Sequence, residues 1–242
     1  MSDNSTNLHQ TKLWKVLIQR RSVLFGLIIL FVIGFCAVFA PWITSIDPSA
    51  IAVRSRLLPP GAEHWLGTDE FGRDIFTRLI YAGRVSLTVG IGVAIISSFV
   101  GSIMGLVSGF FKRLDGPISR LVDAMMAFPD ILLAISLVAV LGGTVTNVII
   151  ALSIVYTPRI ARIVRASTLV IRELPYVEAS KALGIGTPTI LFSHILRNIM
   201  SPIIVQATFI FAHSMLSEAS LSFLGVGVNP STPTWGTMIS IG

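Results

Sequence analysis

Residues 85–111, VSLTVGIGVAIISSFVGSIMGLVSGFF, form an apolar stretch without a single charged residue. Arg84 precedes the stretch, and Lys112 and Arg113 follow it directly. An α-helix rises about 1.5 Å per residue, so this stretch is long enough to cross the roughly 30 Å hydrocarbon core of a bilayer. The pattern therefore predicts a membrane-spanning helix and indicates an all-α membrane protein.

Four other apolar stretches share this character, at residues 23–40, about 118–141, about 145–163 and about 199–216. Hydrophobic residues make up 53% of the 242 residues and charged residues 12%, about half of the roughly 25% usual in soluble domains. We therefore expect a polytopic bundle of five transmembrane helices. A kink near Pro129 is tolerable in the third helix if its neighbours satisfy the freed carbonyl.

The chain divides accordingly into an N-terminal segment at residues 1–22, a first span at 23–45, an external segment at 46–84 and a core at 85–242, which contains a polar loop at 164–197. The first span could instead belong to a cleaved signal peptide. Its 18 apolar residues exceed the usual core of such a peptide and nearly cross the bilayer. We therefore expect it to remain in the protein.

The placement of basic residues predicts the orientation of the bundle. Of 18 Lys and Arg residues, thirteen fall in three segments that would share one side: four at 1–22, three at 112–120 and six at 159–197. The other five lie between the first two spans. Because basic residues concentrate in cytoplasmic loops, we expect the N-terminus and the polar loop in the cytoplasm. The net charge of +6 then reflects topology rather than nucleic-acid binding.

Metal and disulfide chemistry find no support in the sequence. The only cysteine, Cys36, lies in an apolar stretch, which excludes intrachain disulfides and Cys-rich metal sites. No HExxH motif or comparable spacing of histidine and acidic residues occurs, so no metal site is expected.

The polar loop predicts a compact helix–turn–helix. Pro175 suits the first position of a short helix, and Glu178 lies at the end of its first turn. Gly184 can adopt the left-handed conformation that closes a helix, and Thr187-Pro188 is typical of a cap and first position of the next one. The exposed side would consist of alanine, serine and glycine and would admit a close partner. An ordinary amphipathic loop is the alternative that spacing leaves open.

Three glycines at four-residue spacing, Gly101, Gly105 and Gly109, lie on one face of the second span. Small residues at this spacing allow two helix backbones to approach in a membrane, so we expect this face to pack against another helix. The alternative is that glycines are simply frequent in membrane helices.

Two polar features outside the loop have competing interpretations. The first is an acidic and basic cluster before the second span, which could receive an external protein or could be paired with itself; its residues are Asp69, Glu70, Arg73 and Asp74. The second is His213 in the fifth span, which could line a transport path, because ionisable groups in membranes are often functional. A neutral histidine bonded to a neighbouring helix is the structural alternative.

The polar loop resembles the EAA loop of bacterial ABC-importer permeases. The matching residues are Glu178-Ala179-Ser180, Gly184 and His194-Ile195-Leu196-Arg197. Ser180 replaces the second alanine of the motif, and Arg197 replaces its final proline. Glu-Ala-Ser recurs at 218–220, but its glycine comes one residue too late and this copy is expected at the outer face.

Three further blocks are similar to the permeases of dipeptide, oligopeptide and nickel importers, and most similar to the second of their two paired permeases. These blocks are HWLGTDEFGRDIFTRLIYAGRVSL (64–87), AFPDILLAI (127–135) and EASLSFLGVGVNPSTPTWG (218–236). Members of this family continue through a sixth span, whereas the present sequence would contain five spans and an outer C-terminus.

The resemblance implies a multi-pass permease of the bacterial inner membrane. Its implied partners are a second, homologous permease, two ATP-binding subunits and an extracytoplasmic solute-binding protein. ATP and Mg would bind to the ATP-binding subunits, and no P-loop occurs in this chain, which would itself hold no cofactor. The residues implied to contact an ATP-binding subunit are Glu178, Ala179, Ser180, Leu183, Gly184, Gly186 and His194.

Two other classes of membrane protein are weaker alternatives. A secondary transporter driven by an ion gradient tends to carry charges near mid-membrane and repeated halves, and the predicted spans show almost no such charge and no repeat. An intramembrane enzyme would need a nucleophile paired with a base, and none is visible. The resemblance favours peptides as the solute, with nickel, glutathione or opine-like compounds as alternatives.

Overall fold

The computed structural model describes residues 20–241, which fold into helices joined by turns and loops. Within this part of the chain, the single β-type contact is an isolated antiparallel bridge between Thr68 and Asp74. The expected all-α bundle is confirmed. The predicted N-terminal segment at 1–22 lies almost wholly outside the described residues.

Ten α-helices follow one another in the described residues. In chain order they are α1 (Arg21–Val38), α2 (Ala40–Ile43), α3 (Ile75–Phe110), α4 (Lys112–Met126), α5 (Asp130–Leu141), α6 (Val145–Ile171), α7 (Pro175–Ala182), α8 (Thr187–Thr189), α9 (Arg197–Phe223) and α10 (Trp235–Ile241). A 3-10 turn at Val53–Ser55 precedes α3, and a π-helical segment at Ile190–Leu196 joins α8 to α9.

Four helices of the described chain are long and apolar enough to cross a membrane: Arg21–Val38, Ile75–Phe110, Val145–Ile171 and the continuous helix Thr187–Phe223. These correspond to four of the five predicted spans. Three of them extend well beyond the apolar stretches that predicted them, because polar residues occupy their ends. Apolarity marks the part of a helix that suits lipid and does not mark where the helix ends.

The third predicted span, at about 118–141, is interrupted near Pro129, where the sequence allowed a kink. It consists of two helices, α4 and α5, which meet at an angle of 92°. Pro129 is the residue before α5 and has φ −57° and ψ 129°, which is outside the helical region. Proline also disfavours helical geometry at the residue before it, so α4 ends ahead of Phe128. The 12 residues of α5 rise only about 18 Å, too little to cross the bilayer alone.

The described residues form two compact units, one ending at Arg84 and the other beginning at Val85. In the first unit, α1 is largely exposed, and Ala37 and Ala40 are buried. Asp74, directly before α3, accepts a hydrogen bond from the backbone N–H of Thr77 at 2.7 Å, which satisfies one of the free donors at a helix start. A Cβ at Gly72, where φ is +75°, would lie 1.9 Å from the carbonyl oxygen of Ala52, so glycine is required there.

In the second unit, α6 is the central helix, and the three glycines of α3 lie against it. A Cβ added at Gly101, Gly105 or Gly109 would lie 2.6 Å from the Cβ of Ile160, Val164 or Thr168, respectively. At Gly105 it would also lie 2.7 Å from the backbone carbonyl oxygen of Ala161. The two backbones approach this closely because no side chain stands between them. We call this contact the glycine seam.

A row of ion pairs joins α6 to the bent pair α4 and α5. Arg159 pairs with Asp130, and Arg162 Nη2 lies 2.6 Å from Asp123 Oδ1. Arg165 binds Asp115 through two donors, Nε at 2.5 Å and Nη2 at 2.9 Å. We call these three pairs the arginine ladder. Arg159, Arg162 and Arg165, which the sequence analysis counted with the cytoplasmic segments, lie in the C-terminal half of the spanning helix α6.

At the opposite end of the second unit, the loop after α9 closes over the buried carboxylate of Glu218. Ser222 donates to Glu218 Oε1 at 2.8 Å, and Ser86 of α3 donates to Oε2 at 3.4 Å. The backbone N–H of Trp235 in turn donates to the hydroxyl of Ser86 at 3.3 Å. A Cβ at Gly227 would lie 2.4 Å from the Ser222 hydroxyl oxygen, so the loop can pack this closely only with glycine there. The carboxylate thus joins three elements.

Candidate functional site

The strongest candidate site is the elbow segment, residues 175–198. Its first limb, α7, begins as predicted: Leu174 is the cap residue, Pro175 is at the first position and Glu178 lies in the first turn. Val177 is fully buried and belongs to the main hydrophobic core. Glu178 is exposed and has no ion-pair partner in the described part of the chain. One side of α7 therefore anchors the limb, and the other leaves an acidic residue free.

The corner of the elbow is a Schellman turn. Gly184 has φ +75°, and the backbone N–H groups of Gly184 and Ile185 donate to the carbonyls of Lys181 and Ser180 at 3.0 and 3.1 Å. These are the two bonds that define the motif, and they satisfy carbonyls at the end of α7. The prediction that Gly184 adopts a left-handed conformation and closes the helix is confirmed. A Cβ there would meet no atom within 4 Å, so glycine is needed for its backbone conformation and not for space.

Two details of the predicted elbow need correction. Thr187 is not the cap of the second limb: Gly186 takes that position, without a side-chain hydrogen bond, and Thr187 is the first helical residue. Ser180 does not contribute to the exposed side, because it is buried and its hydroxyl donates to the carbonyl of Tyr176 at 2.7 Å. A serine four residues after a carbonyl can form this bond within the helix.

The second limb is a helix with irregular hydrogen bonding. It runs from α8 through the π-helical segment into α9, and Ile190 and Ile195 are buried in the core. Across the elbow, the side-chain amide of Asn198 donates to the hydroxyl of Tyr176 at 3.1 Å, and the ring of Tyr176 lies 6.0 Å from that of His194. His194 therefore contacts the first limb and is only half exposed. The two limbs are held in one arrangement.

The outer surface of the elbow is more apolar than predicted. Glu178, Ala179, Gly184 and Gly186 are exposed, and Leu183, also predicted, is 81% exposed at the corner. Phe192 is exposed as well and was not predicted; its spacing of nine residues from Leu183 gave no signal. A single exposed leucine is common on protein surfaces, and at Leu183 it coincides with a backbone that the Schellman turn fixes.

The elbow is joined to the end of α3 at the bottom of the glycine seam. Arg172, directly after α6, donates through Nη1 to the carbonyl of Gly109 at 2.7 Å. The ammonium of Lys181 lies 5.4 Å from the centre of the Phe110 ring, within reach of a cation–π interaction. A displacement of the elbow therefore acts on α3, α6 and α9.

The predicted outer cluster is mostly paired with itself. The carboxylate of Asp69 accepts bonds from the backbone N–H groups of Phe71 and Arg73, both at 2.9 Å, and from Arg73 Nε at 2.7 Å. Asp74 Oδ1 lies 2.9 Å from His64 Nδ1. Burial alone would raise the pKa of Asp69, but hydrogen bonds from Arg73 outweigh it, and its pKa lies below the ordinary value. Glu70 alone of the four is exposed and unpaired in the described chain.

His213 shows neither of its predicted settings clearly. It is half-buried in α9, and its ring lies 4.4 Å from that of Phe209, one turn earlier in the same helix. In the described residues it has no hydrogen bond to a neighbouring helix, so that expectation was wrong.

The sequence of this bundle matches a known family. The family described as binding-protein-dependent transport system inner membrane component matches residues 97–242, which contain the elbow, the arginine ladder and the glycine seam. The chain belongs to this family. The N-terminal TM domain of oligopeptide transport permease C matches residues 11–60, so both parts of the chain are similar to permeases of one branch.

Individual relatives agree with this assignment. A protein of Brucella suis biovar 1 (strain 1330) that is named as a peptide transport system permease is 48% identical over 226 residues, covering 93% of this chain and 76% of its own length. The dipeptide transport system permease protein of Alkalihalophilus pseudofirmus is 44% identical, covering 94% of this chain and 75% of its own length. The glutathione transport system permease protein of Pectobacterium atrosepticum is 38% identical, covering 98% of this chain and 80% of its own length.

Membership identifies the chain as a multi-pass permease subunit of an ABC importer, and not as an enzyme or a secondary transporter. The charges in the C-terminal half of α6 do not favour a secondary transporter. Those charges form the arginine ladder and face aspartates, so the chain satisfies them internally. The family assignment, rather than an absence of charge, decides between the two classes.

Proposed function

We propose that this permease carries peptides across the inner membrane and that the elbow segment is its docking site for an ATP-binding subunit. The observation that supports docking most directly is the fixed corner at Gly184, where Leu183 is exposed and the exposed, unpaired carboxylate of Glu178 lies five residues earlier. A leucine offers an apolar anchor for a groove, and a free carboxylate offers a charge for a basic partner. Peptides are favoured because the relatives include dipeptide and other peptide permeases.

The partners follow from this proposal. The chain pairs with a second, homologous permease, each permease contacts one of two ATP-binding subunits through its elbow, and an extracytoplasmic protein delivers the solute. ATP and Mg bind to the ATP-binding subunits. The N-terminus and the elbow lie in the cytoplasm, as the distribution of basic residues predicts. Glu70 is the residue of the outer cluster that remains free to contact the delivering protein.

The mechanism is a shift between two arrangements. The ATP-binding subunits adopt different conformations with and without nucleotide, and each conformation favours one arrangement of the permease, because a ligand shifts an equilibrium only through differential affinity. The elbow transmits this difference to α9, which continues from it, and to α3 and α6, which contact it through Arg172 and Lys181.

Co-purification with the cognate ATP-binding subunits from detergent tests the docking site. We expect Leu183→Ala and Glu178→Gln each to weaken the association about tenfold, which corresponds to roughly 1.4 kcal/mol. Leu216→Ala is the matched control, because Leu216 is a similarly exposed leucine of α9 far from the elbow. Glu173→Gln is the control for charge, since Glu173 is exposed at the same end but pairs with Arg172. Equal losses in controls and test variants would refute the docking site.

The solute is tested separately. Membrane vesicles that contain the assembled importer and its solute-binding protein should take up labelled di- and oligopeptides. ATP is supplied on the side of the membrane that carries the ATP-binding subunits. Peptide-independent ATP hydrolysis, with uptake of nickel or another small solute instead, would overturn the peptide proposal and leave the docking site standing.

A further inference from the structure

The helix α4 has three distinct faces. One face packs on α6: Val122 is buried there, and Asp115 and Asp123 form two pairs of the arginine ladder. A second face is apolar but exposed, with Leu114 46% and Leu121 53% exposed. Both aspartates of α4 therefore pair with arginines of α6, although the side chain of Asp123 is 65% exposed.

The exposed apolar face is a continuous stripe. Its members recur at intervals of three and four residues, which places them on one side of a helix. Within α4 they are Leu114, Ile118, Leu121 and Met125, and Phe111 and Phe128 flank the helix at its two ends. Of these, Ile118 and Met125 are half-buried and the other four are exposed.

The third face is basic. Arg113 and Arg120 are exposed and lie seven residues apart, so they project from the same side of the helix. Neither arginine has an ion-pair partner among residues 20–241. The free surface of α4 thus combines an apolar stripe with unpaired positive charge.

The arginine ladder fixes the depth of α4. Arg162 and Arg165 lie 17 and 20 residues after the start of α6 at Val145, hence ~25 and ~30 Å along it. A hydrocarbon core is about 30 Å thick, so α4 is held at its edge. Because α4 and α5 meet at 92°, the two helices cannot both run parallel to the spans. The contact between Arg172 and Gly109 places this edge at the elbow end of the bundle.

We propose that α4 lies in the membrane interface at the elbow end and binds anionic lipid headgroups through Arg113 and Arg120. Its apolar stripe enters the boundary between headgroups and acyl chains, as in other amphipathic helices that lie flat on a bilayer. The two guanidinium groups face the phosphates of a leaflet whose surface is negative, and arginine binds phosphate oxygens with paired N–H donors. That this leaflet is the cytoplasmic one rests on the proposed orientation.

A lipid is favoured over a protein occupant by the combination of depth, angle and charge. A protein at that depth would be the paired permease, and it would need acidic groups opposite Arg113 and Arg120 to match the basic face. A bilayer with anionic headgroups supplies both chemistries at that depth without further assumptions. Through the arginine ladder, such binding would hold α4 against α6, which leads directly to the elbow.

Native mass spectrometry of the complex with its ATP-binding subunits tests lipid binding. The complex would be released from nanodiscs of phosphatidylcholine with phosphatidylglycerol, and retained phosphatidylglycerol counted. We expect the double variant Arg113→Gln, Arg120→Gln to lower retention about fivefold for each arginine removed. Arg113→Lys, Arg120→Lys should preserve most of it. Arg54→Gln, Arg56→Gln removes the same charge from two exposed residues elsewhere and should leave retention unchanged.

A second measurement locates the stripe. Spin labels are attached at Leu121→Cys and Gly116→Cys, each in a Cys36→Ser background. We expect the two labels to differ in accessibility. Dissolved oxygen should reach the label at 121, and a water-soluble relaxation agent should reach the label at 116. Equal phosphatidylglycerol retention in the Gln and wild-type chains would overturn the proposal. So would immobilisation of the label at 121 by ATP-binding subunits. If the Gln variants lose lipid but still co-purify with the ATP-binding subunits, the lipid site is separate from the docking site.

Discussion

Aspartates organise both units of the chain, in two different ways. Asp69 and Asp74 each bind backbone N–H groups a few residues onward and so shape the turn before α3. Asp115 and Asp123 instead bind arginines that lie 50 and 39 residues away in the sequence. The first use is local and stabilises a turn. The second joins helices that the sequence places far apart.

The local use makes the first unit sensitive to acid. Hydrogen bonds lower the pKa values of Asp69 and Asp74 in the folded chain despite their burial. A carboxyl with a lowered pKa stabilises the fold fully above its unfolded value, about 4, and this contribution is lost as pH falls through the lower, folded value. We expect amide protection across residues 57–72, corrected for intrinsic exchange, to be constant near neutrality and to fall below about pH 4.

Hydrogen exchange of two variants checks the cause. Asp69→Asn should reduce protection at neutral pH, because the guanidinium of Arg73 loses its charged partner. Glu70→Gln, next to it but exposed and unpaired in the described chain, should behave as the wild type. A similar loss in both would show that the acid sensitivity arises elsewhere.

At the scale of helices, the glycine seam and the arginine ladder hold the second unit together. The seam allows α3 and α6 to approach without side chains between them, and the ladder holds the bent pair α4 and α5 on another side of α6. Both contacts use α6, which is buried along much of its length. A substitution in either contact should therefore alter the packing of α6.

Replacing Gly105 tests the seam. The Cβ of Gly105→Ala would lie 2.6 Å from the Cβ of Val164 and 2.7 Å from the carbonyl oxygen of Ala161, so the helices must separate. We expect the free energy of unfolding in mixed micelles to fall by about 1–3 kcal/mol. Gly116→Ala is the control, because an added Cβ meets nothing within 4 Å in α4; the gain in helix propensity should leave stability unchanged or raised by up to ~1 kcal/mol. Equal effects would refute close packing at the seam.

Sequence patterns predicted the local features of these helices and not the long-range ones. Four-residue spacing indicated the seam, and Gly184 between two short helical patterns indicated the elbow, since both depend on residues within one or two turns. The ladder could not be predicted in this way, because its partners are 29 to 50 residues apart. The spacing of three between Arg159, Arg162 and Arg165 was the available signal, since it places them near one face of a helix.

The size of the bend near Pro129 was not predictable for a related reason. An apolar stretch interrupted by Pro129 is compatible with a kinked span or with two helices, and apolarity does not distinguish them. The decisive contacts are those of Asp115 and Asp123 with α6, which hold α4 across the bundle. The burial of Ser180 was also unpredictable from spacing, since it depends on which side of α7 meets the core.

For the whole molecule, the two ends of the second unit differ in character. One end carries the elbow, with an exposed leucine and an unpaired glutamate. The other end carries the loop that closes over Glu218, which is fully buried. Glu178 and Glu218 begin the same tripeptide, and 40 residues of a nearly continuous helical path separate them. Their different surroundings, and not the tripeptide itself, set their different roles.

Cysteine labelling in intact cells checks the orientation of these ends. In a Cys36→Ser background, we expect a membrane-impermeant thiol reagent to modify Ser231→Cys in the loop after α9 at once. Leu183→Cys at the elbow should react only after the membrane is opened, because basic residues concentrate on the cytoplasmic side. Both positions are exposed in the isolated chain, so accessibility reports sidedness. Immediate labelling of the elbow in sealed cells would reverse the orientation and exclude its docking to cytoplasmic subunits.

The continuous helix Thr187–Phe223 begins at the corner of the elbow and ends beside the closing loop. Its 37 residues make a helix ~55 Å long. If this helix tilts as a rigid rod by about 5° around one end, the other end moves by roughly 5 Å. Pro202 lacks the N–H that would bind the carbonyl of Asn198, and the π-helical segment lies just before it. The helix is thus most flexible near the elbow. Small displacements of the elbow are therefore absorbed by bending there, and only larger ones reach the far side of the membrane.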